Sequence, residues 1–250
     1  MIRIKKIQIP ALPTKEPRRL YVYLPHDYMH SDMRYPVMYM FDGHNVFYDS
    51  HATYGKSWGM KEYLTKTKLP LIVVAIECNH EGEKRMNEYA PWDFEFPDMG
   101  PMEGLGHVTM DWICQDLKPE IDKEYRTLPD REHTLVAGSS MGGLMAIYAA
   151  AKYNDVFSRA AALSPWFPAG GEGLYGMLDK PLKDTTRVYM DMGSEEFGPE
   201  DRMFLPEIFR AAEALTWKGA QVFAQVVPGA MHNEAAWEKR IPLFMDYLLG

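Results

Sequence analysis

Thr134-Leu135-Val136-Ala137-Gly138-Ser139-Ser140-Met141-Gly142-Gly143-Leu144 is the stretch around which the chain organises. A short apolar run leads into a cluster of small residues, and the alanine-rich residues 144–153 that follow favour helix. The reading is a buried strand that turns abruptly into a helix. Gly138, Ser140 and Gly142 spell Gly-x-Ser-x-Gly across that turn. A serine there takes a strained backbone that projects its hydroxyl, and small neighbours two positions either side let strand and helix approach. The new helix offers unpaired N–H groups and the positive end of its dipole to a developing anion. Frame separates the two serines: Ser139 would need glycines at 137 and 141, and those positions hold Ala137 and Met141.

Outward from this turn, apolar runs recur at residues 37–41, 71–76, 188–192 and 222–227. Continuous apolar strands are the kind covered on both faces, as in parallel sheets. Ahead of them, Ile2, Ile4, Ile7 and Ile9 alternate with polar residues except at Lys5-Lys6, where a bulge is expected to shift the phase. Leu20, Val22 and Leu24 have the two-residue period of a half-buried strand. Helical spacing joins Met110, Ile113, Cys114, Leu117 and Ile121 within residues 108–125, and Leu205, Ile208, Phe209, Ala212 and Leu215 within 204–217, with Gly219 as a stop. Residues 234–249 read as a final helix whose second half begins or kinks at Pro242. Strands alternating with helices predict an α/β fold with a mainly parallel sheet opened by antiparallel strands, with the whole of residues 1–250 in one domain. Residues 92–107 and 164–181 are rich in Gly, Pro and aromatics without a sustained period, and read as long loops that either connect the surface or form a lid or pocket wall.

Composition narrows the class. At 46% apolar and 25% charged the chain is neither disordered nor fibrous. Lys and Arg number 27 against 35 Asp and Glu, a net charge of −8, which disfavours a nucleic-acid backbone or an anionic membrane surface as partner. Cys78 and Cys114 are too few for a disulfide framework and have no metal-ligand spacing. Residues 1–10 lack the ~7–15-residue apolar core of a secretory leader. The run 69–76 contains Pro70 and falls far short of the ~20 residues of a membrane span. A soluble, cytoplasmic protein is expected.

A serine hydroxyl is a poor nucleophile without a base, and the base needs a carboxylate to orient it. On a strand-turn-helix scaffold of this kind the partners follow in the order Ser, acid, His. Of the eight histidines only His232 follows Ser140, on a turn-rich loop after the strand ending at Val227. For the acid, the strand 188–192 runs into Gly193-Ser194-Glu195-Glu196; Asp191 belongs to the strand itself, while Glu195 or Glu196 falls on the loop where a third member belongs. Ser140, the Glu pair and His232 each follow the C-terminal end of an expected parallel strand, where α/β sheets place ligand sites. Phe41-Asp42-Gly43-His44-Asn45 follows another. Backbone N–H groups of Gly43 or His44 are therefore candidates, with that of Met141, for holding an oxyanion.

With these residues in hand the chain resembles the α/β-hydrolase superfamily, and within it the esterase group of esterase D-like enzymes, feruloyl and acetyl esterases, and siderophore esterases. The likeness runs from about Arg18 to Leu249 through Tyr21-Val22-Tyr23-Leu24-Pro25, Tyr35-Pro36-Val37, Asp42-Gly43, Leu117-Lys118-Pro119-Glu120-Ile121-Asp122, Tyr125-Arg126-Thr127, the Ser140 turn, and Phe157-Ser158 through Leu163-Ser164-Pro165. It implies an α/β-hydrolase fold with helices on both faces of the sheet. It also implies that the acid closes a Gly-x-x-Asp/Glu turn, which is Glu196 with Gly193 three before, where the group more often has Asp. Gly229, His232 and Trp237 match its histidine block, and residues 85–91 resemble a segment that lines the site.

The resulting expectation is a serine carboxylesterase with Ser140, His232 and Glu196 as catalytic residues and no metal or organic cofactor. Its substrate would be a small-molecule or carbohydrate ester of short acyl or aryl (acetyl or feruloyl) type. Trp58, Tyr89, Trp92, Phe94, Trp166 and Phe167 are candidates for the pocket wall. An acyltransferase or thioesterase would use the same machinery. The competing readings are a non-catalytic binding protein on the same fold and a metallohydrolase built from Asp42, His44, Asp49 and His51.

Overall fold

Strands with apolar residues at every position need cover on both faces, and the computed structural model, which describes residues 1–96, 100–169, 171–196 and 204–250, supplies it. The strands are β1 (Ile2–Ile7), β2 (Arg18–Tyr23), β3 (Val37–Met40), β4 (Ile72–Ile76), β5 (Phe94–Phe96), β6 (Gly100–Met102), β7 (Thr134–Ser139), β8 (Arg159–Leu163), β9 (Arg187–Gly193) and β10 (Gln221–Val227). The helices are α1 (Met60–Thr67), α2 (Lys84–Glu88), α3 (Gly106–Trp112), α4 (Lys118–Glu124), α5 (Met141–Lys152), α6 (Gly171–Met177), α7 (Leu205–Trp217), α8 (Glu234–Glu238) and α9 (Ile241–Leu249). One sheet has the order β1-β2-β4-β3-β7-β8-β9-β10. β2 pairs antiparallel with β1 and with β4, and every later pairing in that sheet is parallel. This is the α/β-hydrolase fold.

The two-residue period of a strand sends alternate side chains into two separate cores. Val74, Val136, Ala160 and Val188 meet Met110, Ile113, Leu144 and Ile208 on one face. Val73, Leu135, Ala161 and Tyr189 meet Leu64, Trp237, Ile241 and Phe244 on the other. The expected half-buried strand at Leu20, Val22 and Leu24 is instead buried on both sides, because Tyr21 and Tyr23 fill the second core. The same two-sided cover removes the need for a bulge at Lys5-Lys6: β1 pairs with β2 in unbroken register, Ile2 resting on one core, Ile7 on the other, and Ile4 exposed.

Other departures have local causes. The run 222–227 is apolar but forms an edge strand, β10, with Phe223 41% exposed. On α7, Ile208, Ala211 and Leu215 are buried whereas Phe209 faces solvent. The helical reading of 108–125 is interrupted by a π-helical segment, Ile113–Leu117. Pro119 follows at once in the first turn of α4, and a wider turn ahead of it relieves the clash between its ring and a carbonyl four residues back. The stretch 92–107 carries the β5–β6 hairpin and the start of α3, and 164–181 carries α6, so neither is without structure of its own. They pack together: Trp92 lies against Tyr148 (5.7 Å) and so close to Gly173 that a Cβ there would fall 1.1 Å from its Nε1. No helix among the described residues is long and apolar enough to cross a membrane.

The C-terminal edge of the parallel strands gathers the segments that follow β3, β4, β7, β9 and β10. One of its tight points is Gly43, where an added Cβ would sit 2.5 Å from the Ala75 carbonyl carbon and 2.7 Å from the Ile76 nitrogen, both backbone atoms of β4 that cannot move aside. Gly43→Ala is expected to lower stability by about 1–3 kcal/mol, read as a lower urea midpoint at unchanged m-value.

Candidate active site

The turn between β7 and α5 holds Ser140 at φ 56° and ψ −125°, a region that side-chain-bearing residues avoid at a cost of roughly 1–3 kcal/mol. Four hydrogen bonds fix it. Ser140 N–H donates to the Leu163 carbonyl (3.0 Å), and the Ser140 carbonyl accepts from Gly143 (2.9 Å), Leu144 (3.1 Å) and Trp166 (3.0 Å). The flanking glycines are required by contact. A Cβ on Gly138 would lie 2.4 Å from the Gly142 carbonyl oxygen, one on Gly142 2.9 Å from Phe41 Cβ, and one on Gly143 2.8 Å from the Leu163 oxygen. The strained position is that of Ser140, as the spacing predicts, and Ser139 closes β7 with ordinary strand geometry. Met141 N–H opens α5 and has no carbonyl ahead of it in the helix to bond.

Glu196 and His232 are in contact, Oε2 lying 3.0 Å from Nδ1. The Glu196 carboxylate is 1% exposed. Its other oxygen accepts from Gly193 N–H (2.6 Å) and from the Ser164 hydroxyl, with Arg240 Nη2 at 3.6 Å. Gly193 cannot be larger, since a Cβ would fall 2.1 Å from the Ala230 oxygen and 2.9 Å from Glu196 Cγ. Glu195, the alternative acid, points out to solvent beside Ser194. The imidazole of His232 is packed edge-on between Trp237 (5.1 Å) and Trp166 (6.2 Å). Asn233 then starts α8 by accepting from Ala236 N–H (3.0 Å), which fixes where the histidine loop ends.

Beneath this pair lies a network that no local pattern announces. Asp191 is fully buried in β9, and burial pushes its carboxyl up against the opposing pull of Arg240 and Tyr189. Arg240 Nη1 donates to it at 2.7 Å and Tyr189 at 2.7 Å. Arg240, 2% exposed between α8 and α9, also reaches the Ser164 hydroxyl (3.2 Å), which accepts from Trp237 Nε1 (2.9 Å). One guanidinium thus spans Asp191, Ser164 and Glu196. The available signal was Asp191 itself, since a carboxylate in an apolar strand demands a buried cation.

A cavity of about 470 Å³ opens above Ser140 and His232. Its far wall is polar and comes from the segments after β3 and β4: Asp42, His44, Cys78, His80, and Arg85 and Met86 on α2. Arg85 grips both oxygens of Asp42 (2.7 Å each), and although burial works to raise that carboxyl, the guanidinium holds it below its ordinary range. His44 is buried, in the turn Gly43–Asn45, with its Nε2 2.9 Å from Thr53 Oγ1, and burial lowers its pKa to about 4. The first two N–H groups of that turn, those of Gly43 and His44, precede its first internal bond, Asn45 N–H to Asp42 O (2.8 Å). His44 lines the cavity; Gly43 is packed behind it on β4. Glu234, buried beside His232, has its carboxyl pushed up by burial.

Two sets of expected residues are placed elsewhere. Trp58, Tyr89, Phe94 and Phe167 are core: Trp58 packs on Trp237 and Phe244, and Tyr89 on Phe41. Trp92 props α6, Trp166 packs against His232, and Tyr89 from the core accepts from Asp42 N–H (3.2 Å). The four metallohydrolase candidates are dispersed over separate partners, Asp42 on Arg85, His44 on Thr53, Asp49 on Ser57 (2.8 Å) and His51 on Tyr21 (3.0 Å). Among the described residues the group whose ligand atoms converge is a different one, His44, Cys78 and His80. Removing the cation from the buried network has a calculable effect: Arg240→Ala leaves Asp191 charged and unpaired, and should cost about 3–5 kcal/mol. Thermal and urea unfolding of the variant check this, with Arg240→Ala/Asp191→Asn expected to recover part of the loss.

Comparison with known proteins agrees with this architecture. The family model described as "Putative esterase" matches residues 13–243. The chain is 27% identical over 248 residues to the uncharacterized protein YbbA of Bacillus subtilis (strain 168), covering 93% of each. It is 33% identical over 143 residues to esterase Rv1288 of Mycobacterium tuberculosis (strain H37Rv), a match spanning 57% of this chain and 28% of that one. Among solved structures, the IroE-like serine hydrolase of Shewanella oneidensis superposes with a TM-score of 0.76 at 22% identity, over 99% of this chain and 79% of that one. A family match over nearly the whole chain, on an α/β-hydrolase fold, makes this protein a member of the esterase family, a carboxylic ester hydrolase.

Proposed function

We propose that the protein is a serine esterase in which Ser140 is the nucleophile, His232 the base and Glu196 the acid that orients it. The observation that carries this is the Glu196–His232 contact on the same sheet edge, and in the wall of the same cavity, as a serine held in a strained turn. With Nδ1 facing Glu196, Nε2 is the ring nitrogen that acts as the base. It takes the Ser140 proton as the serine oxygen bonds to the ester carbonyl carbon. The oxyanion that forms is held by Met141 N–H and by an N–H of the turn at Gly43 and His44. His232 passes the proton to the departing alcohol as the ester bond breaks. Water then repeats the sequence on the acyl-enzyme, restoring Ser140 and releasing the acid. Glu196 orients the ring and stabilises the transient imidazolium.

The cavity wall favours a particular kind of ester. Asn45, Thr53, Asn79 and Arg85 are among its polar members, and Tyr54 and Trp237 are its aromatic members. Such a wall suits a short acyl group on a polar, hydroxyl-bearing alcohol such as a carbohydrate better than a long hydrocarbon chain. Feruloyl-type aryl esters have less support, because most of the aromatics expected to receive them are in the core.

Hydrolysis of p-nitrophenyl acetate by wild type and Ser140→Ala tests the nucleophile. The variant should lose about 10⁴–10⁶ in kcat, and retention of a tenth of the activity would overturn the assignment. Fluorophosphonate should label wild type at Ser140 even if the reporter ester does not fit the cavity. Glu196→Gln, which keeps the shape and removes the charge, should reduce kcat by about 10²–10⁴, and the same change at exposed Glu195 should leave it within about twofold.

A further inference from the structure

Three side chains in the cavity wall have no task in this mechanism. The ligand atoms of His44, Cys78 and His80 lie within 4.8 Å of one another, on the loops after β3 and β4. His44 is 4% exposed, and its Nε2 is taken by Thr53. Its Nδ1 is buried with no hydrogen-bond partner. A buried, unpartnered ring nitrogen is unfavourable, so its placement calls for an occupant. His80 is anchored in the same way, one nitrogen meeting the Glu77 carboxylate at 3.2 Å. A histidine fixed by an oxygen on one nitrogen and open on the other is the usual arrangement of a metal ligand with its supporting shell.

We propose that His44, Cys78 and His80 bind a zinc-class divalent ion in the wall of the catalytic cavity, and that the bound ion suppresses ester turnover.

The donor set decides the class of ion. Two imidazoles and a thiolate suit zinc, and exclude magnesium and calcium, which take oxygen. A tetrahedral zinc with bonds of about 2.0–2.3 Å sets its ligands about 3.4–3.8 Å apart. The group must therefore close by roughly 1 Å. His80, whose side chain is 52% exposed, has the freedom to do this. Cys78 must give up its thiol proton to become a ligand. Binding therefore exchanges the thiol proton, released to solvent, for the metal–sulfur bond. All three side chains line the cavity that Ser140 and His232 also line. An ion there fills substrate space and ties down the His44 turn. This second half of the proposal rests on the serine-esterase reading; the binding half does not.

Cobalt(II) is the probe for binding, added to metal-stripped wild type without substrate. A thiolate-to-cobalt charge-transfer band should rise to one equivalent, disappear on adding zinc, and be absent in Cys78→Ser. His80→Ala, a change at an exposed position that the fold tolerates, should weaken cobalt binding at least tenfold. No band in wild type, or a band that survives Cys78→Ser and so belongs to Cys114, overturns the site. Zinc should then inhibit p-nitrophenyl acetate hydrolysis at micromolar concentration, reversibly with EDTA, and His80→Ala should raise the inhibitory concentration at least tenfold. Binding without inhibition overturns the regulatory half. Absence of both ester turnover and fluorophosphonate labelling in metal-free wild type overturns the esterase reading and leaves the binding result standing.

Discussion

Everything at the catalytic edge depends on how closely α5 can approach the end of β7. A residue with a side chain is kept at a positive φ there because its carbonyl accepts three N–H groups, those of Gly143, Leu144 and Trp166, while its own N–H is held by Leu163. Those bonds form only if strand and helix nearly touch, and three glycines make that distance possible. The constraint spreads outward. Leu163 leads into Ser164, itself at φ 47°, whose hydroxyl reaches Glu196 and accepts from Trp237 and Arg240. The geometry of the serine turn and that of the acid–histidine pair are therefore set by one connected segment.

That connection is also where charge is managed. Arg240 neutralises Asp191 inside the protein and stands beside Glu196, leaving the latter's second oxygen to His232. Across the cavity Arg85 does the same for Asp42 at the start of the Gly43–Asn45 turn. Asp191, Glu196 and Asp42 thus each have their own cation or donor. A single uncompensated charge in so dry a place would cost several kcal/mol.

Much of this was legible in the residues. The Ser140 turn could be read directly, because a strained elbow needs small residues at fixed offsets and those are local. His232 followed by elimination; the residues left Glu195 and Glu196 open, and the family resemblance chose Glu196, which the structure brings to His232. The alternation of fold elements was equally plain, since period two and period 3.6 each extend over enough positions to register. What escaped was of two kinds. Hairpin strands of three residues, β5 and β6, are too short for any period to show. Long-range partners such as Arg240 with Asp191, 49 residues apart, leave no spacing to detect. The aromatics misled for a related reason: a ring's size and polarity do not reveal which side of a layer it faces, and Trp58 and Tyr89 turned inward.

The sheet distributes its chemistry unevenly. Ser140 hangs from β7, which is flanked by strands on both sides and buried at every position. His232 follows β10, the sheet's outer strand, where no residue after Gln221 is fully buried and Phe223 stands 41% exposed. Outer strands open more readily than central ones, at free energies well below that of global unfolding. The two halves of the proposed proton relay therefore belong to units of different local stability. On the proposed mechanism, mild denaturant would silence the enzyme by loosening the imidazole from its carboxylate while the Ser140 turn, and most of the hydrophobic interior, stayed folded.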